Sequence, residues 1–152
     1  MLDLLRTIVN AKCDLDLYIV TPFVIVADRL RQAILRSGVL DEISDIEPRR
    51  WVLERVGTVH TVQGREAEAV VFVLGAPLAQ QRGARAWAGG KPNLLNVAVT
   101  RAKEVLYVVG NRALWEQAGL FGSLSSALPH APLDGLNRGR EKQSRSSPPA
   151  GW

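Results

Sequence analysis

Residues 57–75 read GTVHTVQGREAEAVVFVLG, and residues 93–111 read NLLNVAVTRAKEVLYVVGN. Within them, Ala69 to Leu74 and Val105 to Val109 are runs of apolar residues without polar alternation. That is the pattern of strands buried on both faces of a parallel sheet. Val56 to Val59 and, further upstream, Leu17 to Val20 have the same character. Helical spacing fills the intervals at Phe23 to Arg36, at about Pro77 to Ala88 and at Leu94 to Lys103. Asn111 is placed to cap a further helix through Ala118, and Trp51 to Arg55 is expected to lead into the second strand or to pair at an edge. Strands alternating with helices predict an α/β layered domain.

Composition bounds the rest. The chain has 152 residues, 47% of them hydrophobic, which suits one compact domain with a real core. No apolar run is long enough to span a bilayer, and charges interrupt the N-terminal MLDLLRTIVNAKCD, so neither a membrane span nor a secretory signal is expected. The chain reads as intracellular, cytoplasmic and soluble. A single cysteine, Cys13, forms no internal disulfide, and two isolated histidines, His60 and His130, do not make a metal site. The net charge is +4, and the segment from Asp134 onward supplies half of it, so the folded part is only mildly basic. From residue 130 to residue 152 Pro, Gly, Ser and Arg dominate, as in NRGREKQSRSSPPAGW, and a disordered basic tail is expected after a domain over residues 1–129.

In the first quoted stretch a strand ends in His60, Thr61 and Val62 and turns at Gln63-Gly64. Ligands of α/β folds gather at the carboxyl edge of the sheet, and Arg65-Glu66 are expected to bring both charges to that same rim. Gly64 permits a positive φ or a close backbone approach. Taken alone, QGRE also fits an ordinary turn with solvated charges. In the second stretch, a helix over Leu94 to Lys103 puts Arg101 on a face with Leu94, Val97 and Ala98. Two accounts fit a charge so placed. It snorkels outward at the helix C-terminus, or its planar fork of donors is aimed across a cleft at a phosphate.

Together these stretches resemble motifs V and VI of superfamily 1 helicases, and YIVTPFVIVADRLRQAIL at residues 18–35 is similar to motif IV of that family. The resemblance spans roughly Tyr18 to Trp115, and QGRE followed by VAVTRAK is similar to the branch that includes RNA-surveillance helicases and related DNA helicases. It implies a RecA-like domain, a parallel sheet flanked by helices, serving as the second motor domain of an ATP-dependent helicase. By the same resemblance Arg101 is the catalytic arginine finger. Gln63, Gly64 and Glu66 approach the nucleotide beside it, and Thr21, Thr58, His60 and Thr61 lie along the nucleic-acid backbone. The implied cofactors are ATP and Mg²⁺, and the implied partners are single-stranded DNA or RNA and a first helicase domain bearing a P-loop.

That P-loop, G-x-x-x-x-G-K-[ST], is absent. The nearest string, RAWAGGKP at residues 85–92, has Arg85 where the first glycine belongs and Pro92 where the hydroxyl belongs. It reads as a loop, with Pro92 and Asn93 opening the next helix. Val39-Leu40-Asp41-Glu42 resembles an acidic Walker B pair only superficially, because Ser37-Gly38 breaks the strand it would need. The family's segment before motif IV carries another phosphate-sensing arginine and is expected to precede this chain. Arg6 lies nearby without a setting that identifies it. The chain is therefore expected not to turn over ATP alone. The alternative reading is a free-standing nucleic-acid-binding or partner-binding module, or a truncated fragment. An unrelated α/β enzyme has no GxSxG, strand-end carboxylate pair or dinucleotide glycine pattern to support it.

Overall fold

The computed structural model describes residues 1–10, 15–41, 43–62 and 64–130. Cys13, Glu42, Gln63 and the expected tail beyond residue 130 lie outside the described residues. In chain order the elements are α1 (Leu2–Asn10), β1 (Leu17–Thr21), α2 (Val24–Ser37), α3 (Pro48–Arg55), β2 (Val56–Thr58) and β3 (Ala67–Val73). After a short 3-10 turn at Ala79–Gln81 follow α4 (Arg82–Gly89), α5 (Pro92–Arg101), β4 (Ala102–Val109), α6 (Arg112–Trp115) and α7 (Leu120–Ala127). The strands form one all-parallel sheet in the order β2-β1-β3-β4, flanked by helices, as a RecA-like fold requires.

Each face of the sheet has its own core, which is why the strands read as continuous apolar runs. Tyr18, Val20, Val70 and Phe72 pack on one side with Leu94, Ala98, Trp115 and Phe121. Leu17, Ile19, Val71 and Val73 pack on the other with Leu5, Ile34, Trp51 and Val52. Successive strand residues face opposite sides, and burying each such side chain contributes about 1.5–3 kcal/mol.

Four expectations change. Residues 51–55 belong to helix α3, because the Glu47 carboxylate accepts the backbone N–H groups of Arg49 and Arg50 and Pro48 takes the first turn. On the outer face of α3 Arg50 donates to Glu54 at 2.8 Å. That hydrogen bond, with the attraction of the Arg50 charge, holds the Glu54 carboxyl below its ordinary value. Helix α5 stops at Arg101 rather than Lys103, since Ala102 is already paired with Ala67 in the sheet. The helix capped by Asn111 ends at Trp115, short of Ala118. Finally, β4 is not buried on both faces. It is the last strand in the order, with Val105 39% and Tyr107 37% exposed. Sequence periodicity also passed over α1 and α7.

The string that superficially resembles a P-loop has a packing role. Residues 85–89 complete α4, and a side chain added at Gly89 would put its Cβ 2.5 Å from the carbonyl oxygen of Ala118. Backbone meets backbone there, so only glycine fits. Gly89→Ala is expected to cost about 2 kcal/mol of stability by overpacking, read as a lowered urea midpoint. An unchanged midpoint would show that the contact can open freely.

Candidate functional site

Parallel pairing gives the sheet two distinct rims. Thr21 is aligned with Thr58 at the carboxyl ends of β1 and β2, whereas Ala67 is aligned with Ala102 at the amino ends of β3 and β4. The chain must therefore descend the whole height of the sheet between β2 and β3, passing β1. It does so through residues 59–66, whose Val59 and Val62 are buried in the core with Tyr18 and Val20. This corrects the expectation of a single rim. His60 and Thr61 stay at the carboxyl edge, while Arg65 and Glu66 arrive at the amino edge, because a parallel neighbour has to be entered from its beginning.

At the carboxyl rim Thr21 is fully buried. Its hydroxyl accepts the Phe23 N–H at 3.4 Å, and its carbonyl accepts the Val59 N–H at 3.1 Å. Thr58 is half-buried, and its carbonyl accepts both the N–H of Thr61 at 2.9 Å and the Thr61 hydroxyl at 2.6 Å. His60 and Thr61 are exposed at the crest of this turn. Of the four side chains expected to meet a backbone, His60 and Thr61 are thus presented to solvent and Thr21 organises the turn beneath them.

At the amino rim Glu66 and Arg101 each immediately precede a residue of the Ala67–Ala102 pair, so one register places both on this rim. Glu66 is exposed. Arg101 is half-buried, with Leu94 and Ala98 of its helix face in the core. Its Nη2 donates to the Thr100 hydroxyl at 3.2 Å, and its buried Nε has no hydrogen-bond partner among the described residues. A buried unsatisfied donor costs about 1–3 kcal/mol, so it marks a place where the fold gives up stability. Gly64 has φ 82° with open space around it, so the left-handed turn requires glycine there. Arg55 and Asp16 occupy the next positions along this rim, paired at 2.8 Å with the guanidinium over the Tyr18 ring. Arg6, by contrast, pairs with Asp3 on the surface of its own helix.

Two features escaped sequence reasoning. Arg85 is buried without a carboxylate among the described residues, and its guanidinium donates to the carbonyls of Ala76, Leu78 and Ala79 at 2.8, 2.7 and 3.0 Å. Trp87 is 49% exposed, and its ring lies 5.9 Å from that of Phe23, the residue that follows Thr21-Pro22. An apolar groove of about 480 Å³ runs along β4 and α7, away from His60, Glu66 and Arg101.

Among the described residues there is no cluster of His, Cys, Asp and Glu that could hold a metal ion, and no helix is long and apolar enough to cross a membrane. No curated protein matches the sequence. A family model described as an AAA domain matches residues 1–113, a span that takes in all four strands of the sheet and both rims. The chain belongs to this AAA domain family, a helicase-type domain found in superfamily 1 helicases.

Proposed function

We propose that the chain is the second motor domain of an ATP-dependent superfamily 1 helicase, of the branch that includes RNA-surveillance helicases and related DNA helicases. The observation that carries this reading is Arg101, whose buried Nε is left without a partner among the described residues on the amino rim it shares with Glu66. A guanidinium at a helix end, with no carboxylate partner among the described residues and one bond to the adjacent Thr100 hydroxyl, is suited to stabilise negative charge supplied from outside the domain.

The residues fit one side of a nucleotide site and not the whole of it. Arg101 offers donors for phosphate oxygens and Glu66 an acceptor for a ribose hydroxyl. The glycines of residues 85–92 are taken up by α4 and its contact with Ala118 and leave no backbone cradle for phosphates. ATP with Mg²⁺, held by a P-loop domain, would supply the phosphoryl chemistry. Arg101 would neutralise the charge that develops in that step, and Glu66 would orient the sugar. On the opposite rim His60 and Thr61 would grip the backbone of single-stranded DNA or RNA without reading its sequence. The crossover 59–66 links the two rims through the core, so a shift of Glu66 is transmitted to His60 through buried Val59 and Val62.

The nucleic-acid half of this proposal is tested by fluorescence anisotropy with a single-stranded oligonucleotide. Affinity is expected to fall steeply with rising salt, and the paired change His60→Ala with Thr61→Ala is expected to weaken binding several-fold. Deleting the segment beyond Pro132 should weaken it less. If that deletion removes all binding, the rim is not the site and the chain is a module that binds through its tail.

A further inference from the structure

Beyond the rim residues, the carboxyl edge carries an aromatic surface that neither the fold nor its packing explains. Phe23 follows the end of β1 by two residues and lies against Gly75, just past the end of β3. Its ring is 6.5 Å from buried Trp115 on one side and 5.9 Å from Trp87 on the other. Trp115 is anchored by its indole N–H on the Gly75 carbonyl at 2.9 Å, so Phe23 rests on a fixed base. Trp87 is the outer member and is half out of the protein, alongside exposed Val24, at 68%, and Ile25, at 62%. Apolar side chains normally leave water where the fold allows, and three such residues on one edge indicate an external partner.

Charge decides what kind of partner. From Ala69 to Lys103 the sequence contains Arg82, Arg85, Lys91, Arg101 and Lys103 and not one carboxylate. Of these, Arg85 is buried and Arg101 and Lys103 belong to the amino rim, whereas exposed Arg82 and Lys91 stand at the two ends of α4, the helix that carries Trp87. On α2 the nearest acid, Asp28, is already paired with Arg31 at 2.9 Å, and exposed Arg29 stands beside it. An exposed aromatic side chain on a helix with a cation at each end and no carboxylate of its own suits a polyanion with flat, apolar faces. Single-stranded nucleic acids meet that description, stacking their bases on aromatic side chains in a basic groove.

We propose that Trp87, backed by Phe23, is a platform on which a base of the bound single strand stacks, one strand position along the carboxyl rim from Thr21. This rests on the reading of that rim as the nucleic-acid face. It adds a contact to the bases, where His60 and Thr61 address only the backbone. The arrangement is sequence-tolerant, because every base has a stacking face.

The test compares a short oligodeoxythymidylate with an abasic strand of equal length, both titrated at two salt concentrations. Trp152→Phe serves as the background, and Trp51 and Trp115 are buried, so a change in emission reports on Trp87. The thymidylate is expected to quench the emission and the abasic strand not to. Trp87→Ala should bind thymidylate about tenfold more weakly, within the range that base stacking supplies, with its affinity for the abasic strand unchanged. Trp87→Phe should regain most of the loss and lose the quenching. If wild type binds both strands with steep salt dependence and Trp87→Ala matches it on both, the platform is wrong and the rim reading stands. If wild type binds neither strand, both fall. If Trp87→Ala leaves strand binding intact and abolishes self-association in sedimentation, the surface belongs to a protein contact instead. Circular dichroism checks the fold of Trp87→Ala, and if it is lost, the quenching of the unaltered protein decides.

Discussion

Arg101→Ala is expected to lower ATP turnover by about 10³-fold or more in the proposed pairing with a P-loop-bearing domain, the effect of removing an arginine finger. The chain alone, with no P-loop, is expected to hydrolyse ATP no faster than buffer. The same substitution should leave the fold as stable as before or slightly more so. Among the described residues the Arg101 side chain makes one hydrogen bond, to the neighbouring Thr100 hydroxyl, and its buried Nε is unsatisfied. Truncation removes that unpaired donor and its desolvation cost. Turnover and stability therefore move in opposite directions, as they do where a site is held at the expense of the fold. Arg101→Lys should not rescue turnover, because a point charge on a flexible stem lacks the planar fork. Steady-state phosphate release and a thermal melt on the same samples check both halves. Unchanged turnover in the combined domains would remove Arg101 from the reaction. Hydrolysis by the isolated chain that Arg101→Ala abolishes would mean that this domain holds a complete site of its own.

Arg85→Ala is expected to be among the most destabilising single changes in the domain, at about 3 kcal/mol, or a melting point lower by about 10 °C. The buried guanidinium ties together the carbonyls of Ala76, Leu78 and Ala79 as the chain leaves β3 for α4, where Gln81 also holds Leu78. Removing it strands the buried Ala76 carbonyl and opens a void, which together exceed the loss of an ordinary surface bond. Arg85→Lys should restore part of the stability, since one ammonium cannot reach all three oxygens. Because α4 also carries Trp87, the loss should extend to single-strand binding even in the cold, where the fold persists. A melting point within a degree or two of the parent would show that the loop is held by other means.

Much of the fold was legible in the residues themselves. Apolar runs without alternation can satisfy a strand only if both faces are covered, so Leu17 to Val20 and Ala69 to Leu74 had to lie inside a sheet with layers on either side. The helices between them follow from spacing, and Gly64 took the positive φ that the turn requires. Failures occurred where local patterns carry little information. Residues 51–55 are apolar enough for a strand, and only the cap at Glu47-Pro48 selects a helix. In the AKEVLYVV of β4 nothing distinguishes an edge from a centre, because edge or centre is a property of neighbours. Of the candidate site, the residue types were readable, whereas their grouping was not.

The sequence by itself determined the α/β class, the parallel sheet, the absence of a phosphate-cradling loop and the placing of a lone arginine on an apolar helix face. These depend on composition and on periods of two and 3.6 residues, which short stretches carry independently of their surroundings. Tertiary structure alone decided that Glu66 and Arg101 share one rim while His60 and Thr61 stand at the other. It also decided that Arg101 lacks a partner for its Nε among the described residues and that the Phe23 and Trp87 rings pack together. Each of those outcomes depends on which strands pair and in what register, and pairing is set by contacts between residues far apart in the chain, where local pattern has no say.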